Sequence, residues 1–348
     1  MAHHRKRKQE KLIMFGAVAA IILAATVLGF EQAQTRSAAK IKPPDTAVVL
    51  TRRAIDGAMV SRASSTPRLA AVVIDNLAEG YPIAGLESAA LVFEAPVEGG
   101  GTTRLLAFYP EDTNASEIGP VRSLRPYFID WAREVGAVPV HVGGSPEALS
   151  RVSNENILTL NQFFDYDFFW RAGTRARPHN VMTSGDLLRQ ALDAREVRAI
   201  PFESWAYRTT KSLPGTRANK IPTPVGIPTA VGINIPSFGS GWSYNAKTGN
   251  YVWDKPGASE SEVRAANVVV MFTSVKVTDE MGRRAIATIG SGRSVIFTGG
   301  KKIAGTWTRK DLTARTKFLD ASGQPVALAA GTTWIEVLPT DAKIESSP

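Results

Sequence analysis

The residues best suited to chemistry are three arginines set among apolar neighbours. Arg104 lies inside the run Thr102–Pro110, TTRLLAFYP, and Arg122 and Arg125 stand in GPVRSLRPYF, between Pro120 and Pro126. An unpaired charge in apolar surroundings is costly, so such guanidinium groups need anionic partners. The partners are either internal acids, with Asp75, Glu94 and Glu98 placed near strand ends, or an external phosphate or carboxylate. A guanidinium fork meets either oxyanion with two hydrogen bonds. The sequence leaves both readings open, and acids that orient the forks can also hold a divalent cation.

Asp75 and Asn76 close the apolar run LAAVVID. In open α/β sheets ligands collect at the carboxyl ends of strands, which makes both residues candidate contacts; an Asx-turn at a strand exit uses the same residues. Glu98 opens EGGG, which suits a tight hairpin turn, since the Lys-Ser/Thr of a phosphate loop is missing. His141 and His179 are the histidines beyond the N-terminal tail, and they lack the H-E-x-x-H spacing of a zinc site. His179 in RARPHN is a candidate ligand contact. Ser145 in GGSPE lacks the G-x-S-x-G elbow of a hydrolase and reads as a helix cap ahead of Pro146. FFDYDFFWRAGTRARPHN mixes aromatics with Arg171, Arg175 and Arg177, as a core edge or as a basic aromatic groove for sugar or lipid phosphate.

The elements that must position these groups alternate. Apolar runs over 69–75, 89–95, 102–110 and 137–144 read as strands. Helical spacing appears over 123–136, after Ser145, and after Thr183 or Ser184. This part, 68–212, reads as an α/β or α+β domain with a mixed sheet. LPGTRANKIPTPVGIPTAVG, 213–232, is a Pro-rich boundary. From 233 to 340 short strands separated by Gly, Ser and Asp turns predict a β-rich domain, beginning with a hairpin in WSYNAKTGNYVWD.

The chain begins differently. Arg5, Lys6, Arg7, Lys8 and Lys11 precede the uncharged run Leu12–Phe30. Nineteen helical residues span roughly 28 Å, the thickness of a bilayer core, which predicts an uncleaved transmembrane helix at 12–30 with a cytoplasmic tail at 1–11. Residues 31–67 read as a flexible linker, and everything beyond them as extracytoplasmic at the cell membrane. The net charge of +9 owes much to that tail. Neither a basic stripe nor a nucleic-acid module is present, so no nucleic-acid partner is expected. The chain has no cysteine, which excludes disulfides, thiolate metal sites and a lipidated cysteine.

Taken in order, VVIDN, FEAPVEGGGTTRLLAFYP, GPVRSLRPYF, HVGGSPEAL and RARPHNVMTS, followed by ANVVVMF, DEMGRRAI and GTTWIEV, resemble the YerB family of bacterial membrane-anchored proteins. That resemblance implies two consecutive domains of unknown function over roughly 69–339 and a place at the cell envelope. A second resemblance, to the LytR-CpsA-Psr family, covers the strand ending in Asp75 and the later Pro/Arg turn. It implies transfer of glycopolymers from polyprenyl-pyrophosphate lipids, with Asp75 as a magnesium ligand or base and Arg122 or Arg125 on the pyrophosphate. The family's Arg-Ser-Asp appears here as GLESAA, and its Ile-Pro-Arg-Asp lacks the aspartate. The expectation is an accessory module binding an anionic glycan or lipid pyrophosphate through Arg104, Arg122 and Arg125, with no cofactor; the alternative is a magnesium-dependent phosphotransferase. A purely structural scaffold, in which the arginines are paired internally and no pocket opens beside them, is the third option; any protein partner is left unidentified.

Overall fold

The computed structural model describes residues 50–208, 232–259 and 261–347, together with Met14. The predicted transmembrane helix 12–30, the tail, most of the linker and the Pro-rich boundary lie outside the described residues. Among the described residues, no helix is long and apolar enough to cross a membrane.

The strands in chain order are β1 (Leu50–Arg52), β2 (Met59–Ser61), β3 (Leu69–Asp75), β4 (Leu91–Pro96), β5 (Thr103–Pro110), β6 (Val138–His141) and β7 (Leu160–Asn161). They continue as β8 (Trp170–Arg171), β9 (Val181–Met182), β10 (Gly232–Ile235), β11 (Ser240–Asn245), β12 (Asn250–Asp254), β13 (Arg264–Ala265) and β14 (Asn267–Thr273). The last are β15 (Val275–Val277), β16 (Arg284–Ile286), β17 (Gly290–Thr298), β18 (Lys301–Arg309), β19 (Lys317–Asp320), β20 (Thr333–Pro339) and β21 (Glu345–Ser347). Among the residues described from Leu50 onward, three α-helices join them: α1 (Pro126–Arg133), α2 (Pro146–Asn154) and α3 (Gly185–Ala194).

One mixed sheet of ten strands, ordered β19-β18-β17-β14-β20-β4-β5-β3-β6-β7, organises the unit from Leu50 onward. Its first five strands come from the C-terminal part of the chain and its last five from the N-terminal part. They meet where β20 pairs in parallel with β4, Thr333 opposite Leu91 through Glu336 opposite Glu94. The two predicted domains therefore share a sheet. Alternation along β3 feeds both faces, because successive side chains point to opposite sides. Ala70, Val72 and Ile74 pack with Ile233, Trp242 and Tyr251 of a second, five-stranded sheet, β13-β12-β11-β10-β21. Leu69, Ala71 and Val73 pack with Tyr127, Phe128 and Trp131 of α1 on the opposite face. Phe93 of β4 stacks on Trp131 with ring centroids 4.6 Å apart.

Ser145 and Ser184 cap α2 and α3, accepting from the amides of Ala148 and Leu187. The first helix starts later than the expected position after Ser123, because Pro126 takes its first turn and Arg125 becomes the N-cap. A buried ion network ties α1 to the C-terminal strands. Glu134 binds Arg315, lies 3.6 Å from Arg309 Nε, and accepts from Thr316 Oγ1 at 2.7 Å.

Candidate anion site at the arginine turn

The antiparallel register of β3 and β5 sets Asp75 opposite Arg104, on the face that α1 covers. The chain returns past the end of β3 with Arg122 and Arg125, where the amide of Arg122 donates to Val73 O. The β4–β5 hairpin tip brings Glu98 to the same place. Asp75 is wholly buried. Its Oδ2 lies 2.5 Å from His179 Nδ1 and 3.0 Å from Arg122 Nε. Glu98 Oε1 binds Arg125 and lies 3.8 Å from Arg104 Nη2. Arg104 and Arg125 also donate to Ser123 O. Arg284, from the C-terminal part, completes the group by donating to Glu98 O at 3.3 Å.

Four guanidinium groups thus gather around two acids, three of them on the carboxylates and Arg284 on the main-chain carbonyl of Glu98. Arg104 and Arg125 are each only 4% exposed, and the Nε donors of Arg104, Arg122, Arg125 and Arg284 have no aligned acceptor. Burial, and then the charges of Arg125 and Arg122, push Arg104 down to about 10, against the opposing pull of Glu98 and Asp75. It still carries its proton at neutral pH, so the cluster holds more positive charge than its own acids balance. A cavity of about 240 Å³ opens beside Arg125, with Ser145, Glu147, Asp279, Arg283 and Arg284 on its walls. Arg125 and Ser145 are the N-caps of α1 and α2, so two positive helix ends face the same space. Chemically, this arrangement suits an oxyanion.

Asp75 and His179 are locked together by their surroundings. Arg175 donates to Gly80 O at 2.8 Å and to Pro82 O at 2.5 Å, pinning the His179 loop to the turn after β3. Arg122 Nη1 donates to Pro178 O at 3.3 Å. A Cβ at Gly80 would sit 3.0 Å from Asp75 Oδ2, a tight contact that the carboxylate would have to yield to. As a candidate metal ligand, Asp75 already has that oxygen engaged by His179 and Arg122. Among the described residues, no cluster of three or more Asp, Glu and His side chains is arranged for a cation.

The other candidates separate. Asn76 turns to the opposite face of the sheet and donates to Glu94 Oε1 at 2.8 Å and Thr103 Oγ1 at 2.7 Å. Glu94, a possible arginine partner in the sequence, pairs instead with Glu336 across the β4–β20 register. Both carboxyls are fully buried, and Lys255 Nζ is 3.7 Å from Glu94 Oε1. Desolvation pushes both above the ordinary carboxylate range, Glu336 furthest because Glu94's charge adds to it. His141 is a core residue, with Nδ1 2.6 Å from Gly143 O and burial lowering its pKa to about 4. The sequence reading missed Arg283 and Arg284, and the adjacent basic pair in the turn motif DEMGRRAI was the available signal.

Residues 56–198 match the N-terminal domain, and residues 231–335 the C-terminal domain, of the protein family of unknown function DUF3048. The chain belongs to that family. It is 26% identical over 298 residues to "Putative lipoprotein YerB" of Bacillus subtilis (strain 168), covering 85% of this chain and 88% of the relative. The crystal structure of YerB from the same organism shares the fold, with a TM-score of 0.71 and 23% identity over 84% of this chain and 99% of that one. Within the N-terminal DUF3048 domain β3 carries Asp75, β5 Arg104 and the β4–β5 turn Glu98, while the C-terminal domain supplies Arg284, so the site draws on both domains.

Proposed function

We propose that this DUF3048 protein binds an anionic component of the cell envelope, through a phosphate or carboxylate group held by Arg104, Arg122 and Arg125 with Arg284. Glu98 and Asp75 orient the forks, and His179, seated on Asp75, lines the approach. The observation that carries this reading is the imbalance of four guanidinium groups against two carboxylates, with two of the arginines almost fully buried. A fixed cationic cluster next to two helix N-termini is stabilised most by an anion that completes it. We further infer that the uncharged run Leu12–Phe30 anchors the chain and that its DUF3048 domains act outside the cytoplasm. The lipoprotein name of the relative fits an envelope location, while this chain, lacking cysteine, has no site for the same kind of lipid anchor.

Thermal melting with and without inorganic pyrophosphate tests the binding. A ligand that binds only the folded state stabilises it, by about 2.7 kcal/mol at a hundredfold excess over Kd. The melting temperature should rise for the parent protein and not for Arg122→Ala. A rise that Arg122→Ala and Arg284→Gln both retain places the anion elsewhere and sinks the assignment. The magnesium-dependent phosphotransferase reading makes a separate demand, turnover of a polyprenyl-pyrophosphate substrate that Asp75→Asn abolishes.

A further inference from the structure

The turn between β7 and the segment before β8 shows two phenylalanines to solvent, and it does so by construction. Asn161 and Asp165, both buried, hold it closed. The amide of Asn161 donates to Asp165 Oδ2 at 2.8 Å, and the amides of Phe164 and Asp165 both donate to Asn161 O at 2.8 Å. Asn161 Oδ1 in turn accepts from the amides of Gly143 and Phe163. At the tip Phe163 is 62% exposed, Phe164 80% and Tyr166 66%, with Leu149 and Leu158 exposed beside them. Five of the large apolar side chains left in solvent are therefore gathered in one stretch of the chain. Isolated exposed apolar residues need no explanation, but a hydrogen-bonded turn that holds a cluster of them outward does.

Beneath the tip lies a cavity of about 420 Å³ lined chiefly by apolar groups, including Leu149, Val152, Phe163 and Phe164. His141 on its floor is uncharged at neutral pH, for the burial already described. Two arginines bracket the turn. Arg195 pairs with Asp165, and Arg171 donates to Gln162 Oε1 at 3.3 Å. Aromatic tips match the interfacial layer of a bilayer, where rings sit at headgroup depth. Arg171, whose partners Gln162 and Asn180 are neutral, is the cation placed to meet lipid phosphate. Arg195 is balanced by Asp165, and the exposed Asp167 lies beside Tyr166. With Leu12–Phe30 as the anchor, a bilayer is also within reach. The folded unit begins at Leu50, twenty residues after the apolar run ends at Phe30, a distance of at most about 70 Å when fully extended.

We propose that the Phe163–Tyr166 turn is a membrane-contact surface that inserts Phe163 and Phe164 into an anionic lipid leaflet. This rests on the proposed anchor at Leu12–Phe30 together with exposure and loop geometry, and is independent of the arginine cluster between β3, β5 and α1.

The absence of native cysteine gives a clean test in the full chain. Ser153→Cys, an exposed position on the rim of the same cavity, is labelled with an environment-sensitive fluorophore; Met281→Cys, exposed on the C-terminal part, serves as the reference. Each labelled protein is reconstituted in phosphatidylcholine vesicles with and without phosphatidylglycerol, carrying nitroxide-labelled lipid. The label at Ser153 should be blue-shifted and quenched several-fold more than that at Met281 in the anionic vesicles. Phe163→Ser with Phe164→Ser should abolish the difference while leaving the melting temperature within a few degrees. Equal quenching at the two positions, or quenching that survives the double substitution, overturns the proposal. Quenching unchanged when phosphatidylglycerol is omitted overturns its anionic-lipid component.

Discussion

Replacing Glu336 with Gln should stabilise the protein increasingly as pH rises. Glu336 and Glu94 face each other across the one parallel ladder that joins the two DUF3048 domains, both without solvent contact. Trp242 Nε1 donates to Glu336 Oε1 at 2.9 Å, while Oε2 of each carboxyl has no partner outside the pair. With Lys255 as the nearest cation, the pair keeps a proton that the unfolded chain releases just above the ordinary carboxylate value of 4.5. The folded pKa is raised, so this contribution to stability is complete below that value and is lost as pH rises toward the folded pKa. Over that interval each pH unit costs about 1.4 kcal/mol. In a chain of this size that corresponds to about 2–4 °C of melting temperature. The amide of Gln keeps the acceptor for Trp242 and offers a permanent donor to Glu94, which can then ionise beside Lys255. Melting temperatures of the parent and Glu336→Gln, measured from pH 5 to pH 9, should therefore diverge as pH rises from 5 until the folded pKa is passed. Parallel curves would show that no shared proton exists. Glu336→Leu provides the contrast, since it strands the indole N–H and should cost about 1–3 kcal/mol at every pH.

Glu134→Gln should lower stability by about 3–5 kcal/mol, because it leaves Arg315 and Arg309 buried without their counter-charge; urea unfolding reads this as a lower midpoint. Gly80→Ala forces a methyl group against the Asp75 carboxylate, and it should weaken the pyrophosphate-induced melting shift more than it lowers the basal melting temperature. His179→Ala removes the 2.5 Å partner of a buried carboxylate and should cost about 1–3 kcal/mol, whereas His179→Gln, able to donate to the same oxygen, should recover most of it in the same assay.

Much of the local structure was legible in the sequence, because it depends on local chemistry. Ser145 and Ser184 cap helices because their hydroxyls suit orphan amides, and Asn245–Asn250 turns a hairpin because its residues favour turns. Arg104, Arg122 and Arg125 were conspicuous because charge in an apolar run demands a partner. What the sequence hid depends on contacts between distant segments. Nothing near Thr333 announces that β20 will lie between β14 and β4, and without that placement Glu94 reads as an arginine partner rather than half of a carboxyl pair. Arg284 reaches Glu98 across 186 positions of sequence, a closure that no local period encodes. His141 and His179 looked alike as residues, and only burial and the position of Asp75 distinguish them.

The shared sheet also bears on how this protein is made. Beside β20, β4 is an interior strand with every residue buried. An N-terminal domain made alone would present that strand as a bare apolar edge, the kind of surface that recruits other chains. The C-terminal domain alone would end in an equally open β20. Neither half closes this sheet by itself, so the boundary between the two DUF3048 domains in sequence is not a boundary in the sheet. Co-expressed fragments cut within 209–231 should find each other and melt as one species. Either fragment alone should be a client of chaperones and proteases.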